Sequence, residues 1–284
     1  MLKKQLRFIG IAILLISAFA AQLANQPSQA AGFLRVVALD IGQGDAILIT
    51  TPDDEQILVD GGPSGDVVGK ILHYTYGKKL DLVVATHNDA DHIGGLPAVV
   101  NSFKVNQVWI NGAIHTTHTY ESWLATLKEN QVSAKAVKAG ESLRLGQVEL
   151  EVLYPTKDYV GVRPELNNDA TIVIRLTYGA TSFLLTGDLE QEGEEELIRD
   201  NPTKLGSTVL KVSHHGSGNS SAREFLDYVH PELALISVGE GNRYGHPAQE
   251  VIDRLEQLDI ESHRTDKEGD LVVFSDGAKV WFED

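Results

Sequence analysis

The sequence of 284 residues contains no cysteine. This absence excludes disulfide bonds, iron–sulfur clusters, cysteine-based zinc fingers and thiol nucleophiles, so any metal ion must be held by nitrogen and oxygen ligands. Basic residues are also scarce, because 24 lysines and arginines stand against 40 aspartates and glutamates and give a formal net charge of −16. A surface of this charge repels nucleic acid as a whole. A polyanionic substrate would therefore have to be bound locally.

Long apolar runs are scarce beyond the N-terminal region. Three basic residues within the first seven positions precede a largely apolar stretch at residues 8–21, and small residues follow it. This order predicts a signal peptide over residues 1–30, followed by one domain over residues 31–284. The alternative is an uncleaved anchor, although the run is shorter than the ~20 residues that span a bilayer comfortably. We expect a secreted or extracytoplasmic protein, associated with the cell envelope and not inserted in the membrane after cleavage.

Short β-branched and apolar runs alternate with segments of helical spacing along the rest of the chain. Residues 33–40 and 46–50 are such runs on either side of a glycine-containing turn, and residues 171–177 and 182–186 form a second pair of this kind. The sequence contains no internal linker, low-complexity tract or long repeat. It therefore predicts an α/β fold in which two sheets carry helices on their outer faces.

Four potential metal ligands fall within six residues directly after an apolar run. They are His87, Asp89, Asp91 and His92. In an extended loop the alternating positions 87, 89 and 91 point the same way, and His92 follows at the turn into a helix, so the loop can serve two neighbouring cations. The alternative is a polar loop with capping aspartates.

Further polar groups follow other predicted strands. Asp188 ends one strand, His214 and His215 end another, and His246 precedes a helix. Asp188 alone would be more typical of a helix N-cap than of a ligand. Together these side chains predict one pocket, because rigid scaffolds gather functional loops at the ends of their strands.

Seven sequence blocks, in this order, resemble the metallo-β-lactamase superfamily and, more narrowly, the hydrolase-like domain of ComEC-type competence proteins and its secreted stand-alone relatives. The blocks are residues 39–46, 58–62, 86–95, 168–171, 185–188, 210–217 and 244–247. The resemblance covers nearly all of the chain beyond residue 30. It implies a four-layer αββα sandwich and a hydrolase that uses two divalent metal ions.

The resemblance also implies two overlapping sets of metal ligands. Their members are His87, Asp89, Asp91, His92, Asp188, His215 and His246. His87, Asp89 and a bridging Asp188 would hold one ion, and Asp91, His92, Asp188 and a late histidine would hold the other. The sequence leaves open whether that histidine is His214, His215 or His246.

The chain departs from the wider superfamily at two positions. Asp89 stands where a second histidine is expected, and Asn168 is the nearest match to a later histidine. Carboxylate and amide oxygens favour harder ions, so manganese competes with zinc, above all at the first site. The change at Asp89 also disfavours the lactam- and lactone-hydrolysing branches.

The resemblance implies metal-assisted hydrolysis, in which Asp91, His214 and His215 are the catalytic candidates. Asp91 would orient the nucleophile, and whichever of His214 and His215 is not a ligand would donate a proton. The candidate substrate-binding residues are Asn168, Lys211, Ser217 and Arg243, together with backbone amides after a predicted capping box at Ser221. For both Lys211 and Arg243 the alternative, an ordinary solvated charge, is slightly favoured.

Three functions follow as hypotheses. The first is a phosphodiesterase or nuclease that acts on DNA or another phosphate-rich polymer. The second is a hydrolase of small phosphodiesters of the cell envelope. The third is a non-catalytic, metal-stabilised binding module of the cell surface. The acidic composition opposes the first hypothesis, but bound cations would supply positive charge locally. The sequence does not indicate an oligomeric state.

Overall fold

The computed structural model describes residues 32–75 and 77–283. The strands form an eight-stranded sheet, a seven-stranded sheet and a two-stranded sheet. The predicted signal peptide, residues 1–30, lies outside the described residues. Within the described ranges, no helix combines the length and the apolar character needed to cross a membrane.

The eight-stranded sheet contains the N-terminal hairpin and the C-terminal strands. Its members are β1 (Leu34–Ala38), β2 (Ile47–Thr50), β3 (Gln56–Val59), β5 (Leu82–Ala85), β7 (Val108–Ile110), β8 (Ala134–Ala136), β16 (Leu271–Ser275) and β17 (Val280–Phe282). The spatial order is β17-β16-β1-β2-β3-β5-β7-β8. β1, β2 and β3 pair antiparallel, as the hairpin prediction required, whereas β3, β5 and β7 pair parallel. The carboxyl ends of β3 and β5 therefore lie side by side.

The seven-stranded sheet is built from the second half of the chain. Its members are β9 (Ser142–Leu145), β10 (Val148–Tyr154), β11 (Val173–Tyr178), β12 (Thr181–Leu185), β13 (Val209–Lys211), β14 (Leu233–Ile236) and β15 (Glu261–Arg264). These strands run in the order β15-β14-β13-β12-β11-β10-β9, and β12, β13, β14 and β15 are mutually parallel. The carboxyl ends of β12, β13 and β14 consequently meet at one edge. The small sheet pairs β4 (Lys79–Leu80) with β6 (Lys104–Val105).

Eight α-helices connect these strands in the described part of the chain. They are α1 (Val67–Tyr74), α2 (Ala90–Ile93), α3 (Leu96–Ser102), α4 (His118–Glu129), α5 (Gln191–Asp200), α6 (Arg223–Val229), α7 (Gln249–Gln257) and α8 (Thr265–Glu268). Short 3₁₀ segments occur at Asn167–Ala170, Pro202–Lys204 and Ser213–Gly216.

The two large sheets face each other across the central core. Leu34 and Val36 of β1 share one buried cluster with Ile174 of β11 and Phe183 of β12. Val37, the next residue after Val36 in β1, points to the opposite face, because side chains alternate along a strand. Both faces of β1 are thus buried, which explains why four of its five residues are apolar.

Helices cover the outer face of each sheet. Val37 packs in a cluster with Leu96 of α3 and Trp123 of α4. On the other side, Leu184 of β12 packs in a cluster with Phe225 of α6 and with residues of α5 and α7. The order of layers is helices, sheet, sheet, helices, which confirms the predicted αββα sandwich.

The predicted capping box at Ser221 is wrong. Helix α6 begins at Arg223 after Ala222, without a side-chain cap. The backbone amides of Ser221 and Ala222 instead donate to the carboxylate of Glu194, at 2.5 and 2.9 Å. Because these amides already have an acceptor inside the protein, they are not free to bind a phosphate group.

Candidate metal centre

The loop after β5 is fixed to the neighbouring strand end by Asp60. This buried carboxylate follows β3, and it accepts the backbone amide of Thr86 at 2.8 Å and the Thr86 hydroxyl at 2.7 Å. Parallel pairing of β3 and β5 places the two residues side by side. His87 follows at once and is buried, and His92 is buried within the short helix α2. The dense ligand motif is therefore presented rigidly.

Asp188 lies at the middle of the candidate centre. Its Oδ2 is 3.2 Å from His92 Nε2, 3.5 Å from His215 Nε2, and 3.8 Å from the Nε2 atoms of both His87 and His214. The structure thus brings four imidazole nitrogens from two different loops around one carboxylate oxygen.

A tight turn delivers Asp188 to this position. Gly187 has a φ of +51°, and a Cβ atom there would lie 2.5 Å from the hydroxyl oxygen of Thr171. Only glycine fits such a left-handed and crowded position without displacement of its neighbours. The left-handed turn at Gly187, after β12, therefore directs the carboxylate of Asp188 into the centre.

The backbone of His214 and His215 adopts left-handed angles at two consecutive residues, with φ values of 49° and 55°. Such angles are uncommon for residues other than glycine, and structures retain them where the surroundings over-determine the conformation. Here they direct both rings towards Asp188.

Each buried ring at the centre has a partner for its Nδ1 atom. His92 Nδ1 is 2.8 Å from Asp60 Oδ2, His87 Nδ1 is 3.0 Å from the Thr86 hydroxyl, and His215 Nδ1 is 2.9 Å from the carbonyl oxygen of Ser237. These acceptors place the proton on Nδ1 and leave the Nε2 lone pair directed at the centre. Metal-binding histidines are held by outer partners in the same way.

The inward-facing atoms fit divalent cations. The Nε2 atoms of His87, His92 and His215 and the Oδ1 atoms of Asp45 and Asp188 are buried and have no hydrogen-bond partner. Lone pairs that face one another in a dry interior repel, so this arrangement requires positive charge among them. Among the described residues, two of the groups whose potential ligand atoms all lie within 4.8 Å are His87, His92 and Asp188, and Asp91, His92 and His215. The donors are nitrogen and oxygen throughout, as the absence of cysteine requires.

The pKa values of the buried groups also show that the centre favours positive charge. Burial alone would lower the pKa of His215, but the carboxylates of Asp188 and Asp45 outweigh burial and raise that pKa to about 9. The pKa of His92 is also raised, against burial, by Asp188 and Asp60. Burial would raise the pKa of Asp188, yet the neighbouring histidines hold it well below its usual value. Protons and metal ions therefore compete for the same nitrogen atoms.

The two remaining aspartates of the motif lie on different sides of Asp188. Asp89 Oδ2 is 3.5 Å from His87 Nε2, and its other oxygen accepts from Asn167 Nδ2 at 2.5 Å. Asp91 Oδ2 is 3.7 Å from His215 Nε2. Both carboxylates are partly exposed, so they border the opening of the centre.

The late histidines occupy different places. His215 is buried against Asp45, Asp91 and Asp188. The ring of His214 is partly exposed, and its Nδ1 lies 3.2 Å from Glu190 Oε1. The ring of His246 is 5.5 Å from that of His214, measured between ring centres, and belongs to none of the three-residue groups formed by described residues. Of the three, His215 is best placed to complete the second predicted site.

Lys211 does not occupy the position expected of a phosphate-binding residue. Its side chain is buried, and Nζ donates to Asp45 Oδ2 at 2.8 Å and to the Val212 carbonyl oxygen at 2.9 Å. The ammonium group has no access to solvent, so the solvated alternative is also wrong. Its charge is balanced by Asp45 inside the protein.

The other three predicted substrate residues lie in different surroundings. Asn168 donates to Glu190 Oε1 at 3.0 Å, and both residues border a cavity of about 440 Å³. Arg243 is exposed and contacts Tyr244. Ser217 is buried, and its hydroxyl accepts from the Asn219 amide at 3.3 Å.

Asp45 and Asp60 lie in two of the sequence blocks that carry the resemblance, although neither is among the predicted metal ligands. Asp60 does support the loop at Thr86, but both aspartates also touch histidines of the centre. Each lies in a turn or loop beside a strand and next to a glycine, as Asp188 does. That shared context was the available signal.

Comparison with known proteins agrees with this architecture. The sequence profile of the metallo-β-lactamase superfamily matches residues 39–240. The chain is 32% identical over 252 residues to ComE operon protein 3 of Bacillus subtilis, a match that covers 82% of this chain and 32% of that protein. It is 30% identical over 244 residues to competence protein ComA of Neisseria gonorrhoeae, covering 83% of this chain and 31% of that protein. The chain thus spans about a third of the length of these curated relatives.

A solved structure shows the same fold. The metallo-β-lactamase fold protein YhfI of Bacillus subtilis superimposes with a TM-score of 0.58 and 14% sequence identity. The alignment covers 88% of this chain and 100% of that one. At this identity the likeness concerns the fold alone.

Proposed function

The chain belongs to the metallo-β-lactamase superfamily, with competence proteins among its curated relatives, and from this premise we propose that it is a metal-dependent phosphodiesterase or nuclease. Its substrate would be DNA or another phosphate-rich polymer, and its place of action outside the cytoplasmic membrane, at the cell envelope. The observation that carries the proposal is the convergence of four imidazole Nε2 atoms on the carboxylate oxygen of Asp188.

The proposed ligand sets follow the two sides of Asp188. His87 and Asp89 lie on one side, and Asp91, His92 and His215 lie on the other. The mixture of imidazole and carboxylate donors suits zinc or manganese. When bound, such a pair of ions supplies Lewis acidity and lowers the pKa of a bound water molecule towards neutral pH.

The surrounding side chains supply the remaining chemistry. The pKa of Asp91 is lowered because His215 and His92 outweigh its partial burial, so at neutral pH this carboxylate is ionised and available to orient the attacking water. The water would release a proton to solvent and attack phosphorus while the bond to the leaving ester oxygen breaks. His214, which has its Nδ1 next to Glu190, is placed to protonate that leaving oxygen.

One structural feature favours a smaller substrate as a second candidate. The cavity of about 440 Å³ that Asn168 borders is lined by several carboxylates, among them Asp169, Glu192 and Glu190, and Glu190 lies 3.2 Å from His214 Nδ1. A negative cavity suits a phosphodiester that carries a cationic group better than it suits a polymer of phosphates. A small envelope phosphodiester is therefore the alternative.

Asp188→Asn tests the proposed function. Purified full-length chain would be incubated with bis-p-nitrophenyl phosphate, single-stranded DNA and double-stranded DNA, with zinc or manganese added. We expect metal-dependent turnover of at least one substrate, and we expect Asp188→Asn to lower both turnover and bound metal by at least about 100-fold, because the hub of both ligand sets is weakened. Asp227→Asn, at an exposed position on α6, is the matched control.

The outcomes separate the three hypotheses. Turnover of the small diester without turnover of DNA would favour the envelope substrate. Metal binding without any turnover would leave the non-catalytic binding module. Full activity of Asp188→Asn would contradict the assignment of this residue to the centre.

A further inference from the structure

A row of aromatic rings leads from the surface of the molecule to the candidate metal centre. The ring centres of Tyr244 and His246 are 5.7 Å apart with an angle of 26° between their planes, which is a stacked arrangement. The ring of His246 is in turn 5.5 Å from that of His214, whose Nε2 is 3.8 Å from Asp188 Oδ2. Tyr244 therefore lies two ring contacts away from a side chain of the centre.

The loop that carries Tyr244 is held in place by Asn242. The side-chain oxygen of Asn242 accepts the backbone amides of Tyr244 and His246, at 3.2 and 3.0 Å. Its side-chain nitrogen donates to the carbonyl oxygens of His246 and Gly239, at 2.7 and 3.0 Å. The stacked rings are thus presented by a loop that is already ordered, which reduces the entropy lost when a ligand binds.

The outer end of the row combines an exposed ring with a cation. The residue Tyr244 is 53% exposed. The guanidinium carbon of Arg243 lies 5.0 Å from the centre of the Tyr244 ring, and Arg243 Nη2 donates to the Tyr244 hydroxyl at 2.9 Å. Since Lys211 is buried in its pair with Asp45, the exposed Arg243 is the better placed of the two predicted phosphate contacts.

An exposed aromatic ring beside a cation matches the way proteins hold unpaired bases. Bases of a single strand stack on aromatic side chains regardless of their sequence, while cationic groups contact the phosphates. A base inside a duplex is already stacked between its neighbours and is not available to such a ring. This local device also suits an acidic protein, because stacking does not depend on a broad basic surface.

We propose that Tyr244 is a stacking platform for an unpaired nucleobase next to the scissile phosphate and that Arg243 contacts a neighbouring phosphate, so that the substrate is single-stranded nucleic acid. This inference rests on the proposed phosphodiesterase function. Tyr244 is a binding residue here and takes no part in the transfer of protons.

The test compares substrates with and without bases. The full chain, loaded with manganese, would be given a short single-stranded oligodeoxynucleotide and the same oligonucleotide with abasic tetrahydrofuran residues in place of the nucleosides. We expect the wild-type kcat/KM to be about tenfold higher for the base-bearing strand, as one stacked base provides, and to be higher for single-stranded than for double-stranded DNA. Tyr244→Ala is expected to bring the ratio between the two strands close to one, mainly through KM. Tyr244→Trp is expected to keep the ratio.

Tyr228→Ala is the matched control, because Tyr228 is a 42% exposed tyrosine on α6 that has no part in the row of rings. It is expected to retain the wild-type ratio. A Tyr244→Ala ratio equal to that of wild type overturns the stacking platform and leaves the nuclease function standing. Turnover of bis-p-nitrophenyl phosphate without turnover of either oligonucleotide also overturns it and leaves a phosphodiesterase. If none of the substrates is hydrolysed, the proposed function fails and this inference fails with it.

Discussion

Asp60 shows how a single side chain acts on the centre without facing it. One of its oxygens accepts from the Thr86 amide, and the other lies 2.8 Å from His92 Nδ1 and accepts from the Thr86 hydroxyl. The same carboxylate therefore fixes both the start of the ligand loop and the tautomer of a ring within it. Outer partners of this kind raise the basicity of a ligating imidazole.

Replacing Asp60 by asparagine is predicted to weaken metal binding by about 10- to 100-fold. The amide is nearly the same size, but it removes the negative charge behind His92 and introduces donors where acceptors are needed. Titration with manganese, monitored by calorimetry, measures the change in Kd. Asp253→Asn on the exposed face of α7 is the control. An affinity within twofold of wild type for Asp60→Asn would show that the contact with His92 does not tune the ligand.

At the scale of the elements, the centre lies where the strand ends of the two sheets come together. A buried ion pair and hydrogen bonds to a buried glutamate hold its loops. Asp45 lies just before β2 of the first sheet, and Lys211 is the last residue of β13 in the second. Asp45 Oδ1 is also 3.5 Å from His215 Nδ1. Glu194 of α5 clamps the loop at Ser221, where burial raises the pKa of that glutamate to about 7 despite the two backbone amides it accepts. The loop of His214 and His215 is thus anchored at both ends.

Lys211→Met is predicted to destabilise the fold by about 3–5 kcal/mol, because it leaves the buried carboxylate of Asp45 without its cation. The double variant Asp45→Leu/Lys211→Met is predicted to recover most of that stability, since no buried charge is left uncompensated. Urea unfolding in the presence of a chelator measures both values. The double variant is not expected to recover metal affinity, because Asp45 also contacts His215. A change below about 0.5 kcal/mol for the single variant would contradict the structural role of the pair.

At the scale of the whole molecule, protons and metal ions stabilise the same fold by occupying the same site. The pKa of His215 is raised to about 9 in the folded protein, above its ordinary value of 6.5. A raised pKa of a histidine contributes stability that is complete below about 6.5 and is lost as the pH rises through about 9. Bound metal replaces those protons, so its own contribution grows over the same range of pH.

Chelated protein is therefore predicted to lose thermal stability between pH 6.5 and 9, whereas the increase in Tm on addition of manganese is predicted to become larger. Ligand at 100 times its Kd stabilises by about 2.7 kcal/mol. For a chain of this size that corresponds to an increase of about 5–10 °C. Thermal unfolding by circular dichroism at several pH values measures the effect. An increase in Tm that shrinks with rising pH would contradict the competition between protons and metal.

Local patterns of apolar residues predicted most of the fold, because most strands are buried on one or both faces and their apolar runs are visible in the sequence. The strands β9 and β15 were not predicted, since they lie at the two ends of the second sheet and carry polar side chains. The capping box at Ser221 was predicted wrongly, because the amides there are bound by a glutamate from another helix. Edge strands and contacts between elements leave little local signal.

The sequence by itself determined that the nitrogen and oxygen donors, Asp188 among them, come directly after strands. Residue types and strand ends can be recognised in short segments of sequence. Only the tertiary structure decided that His215 lies closer than His246 to that carboxylate, and that Lys211 pairs with Asp45 inside the protein. These choices depend on how two sheets pack face to face. The distances across that interface are set by side chains that lie far apart in the sequence.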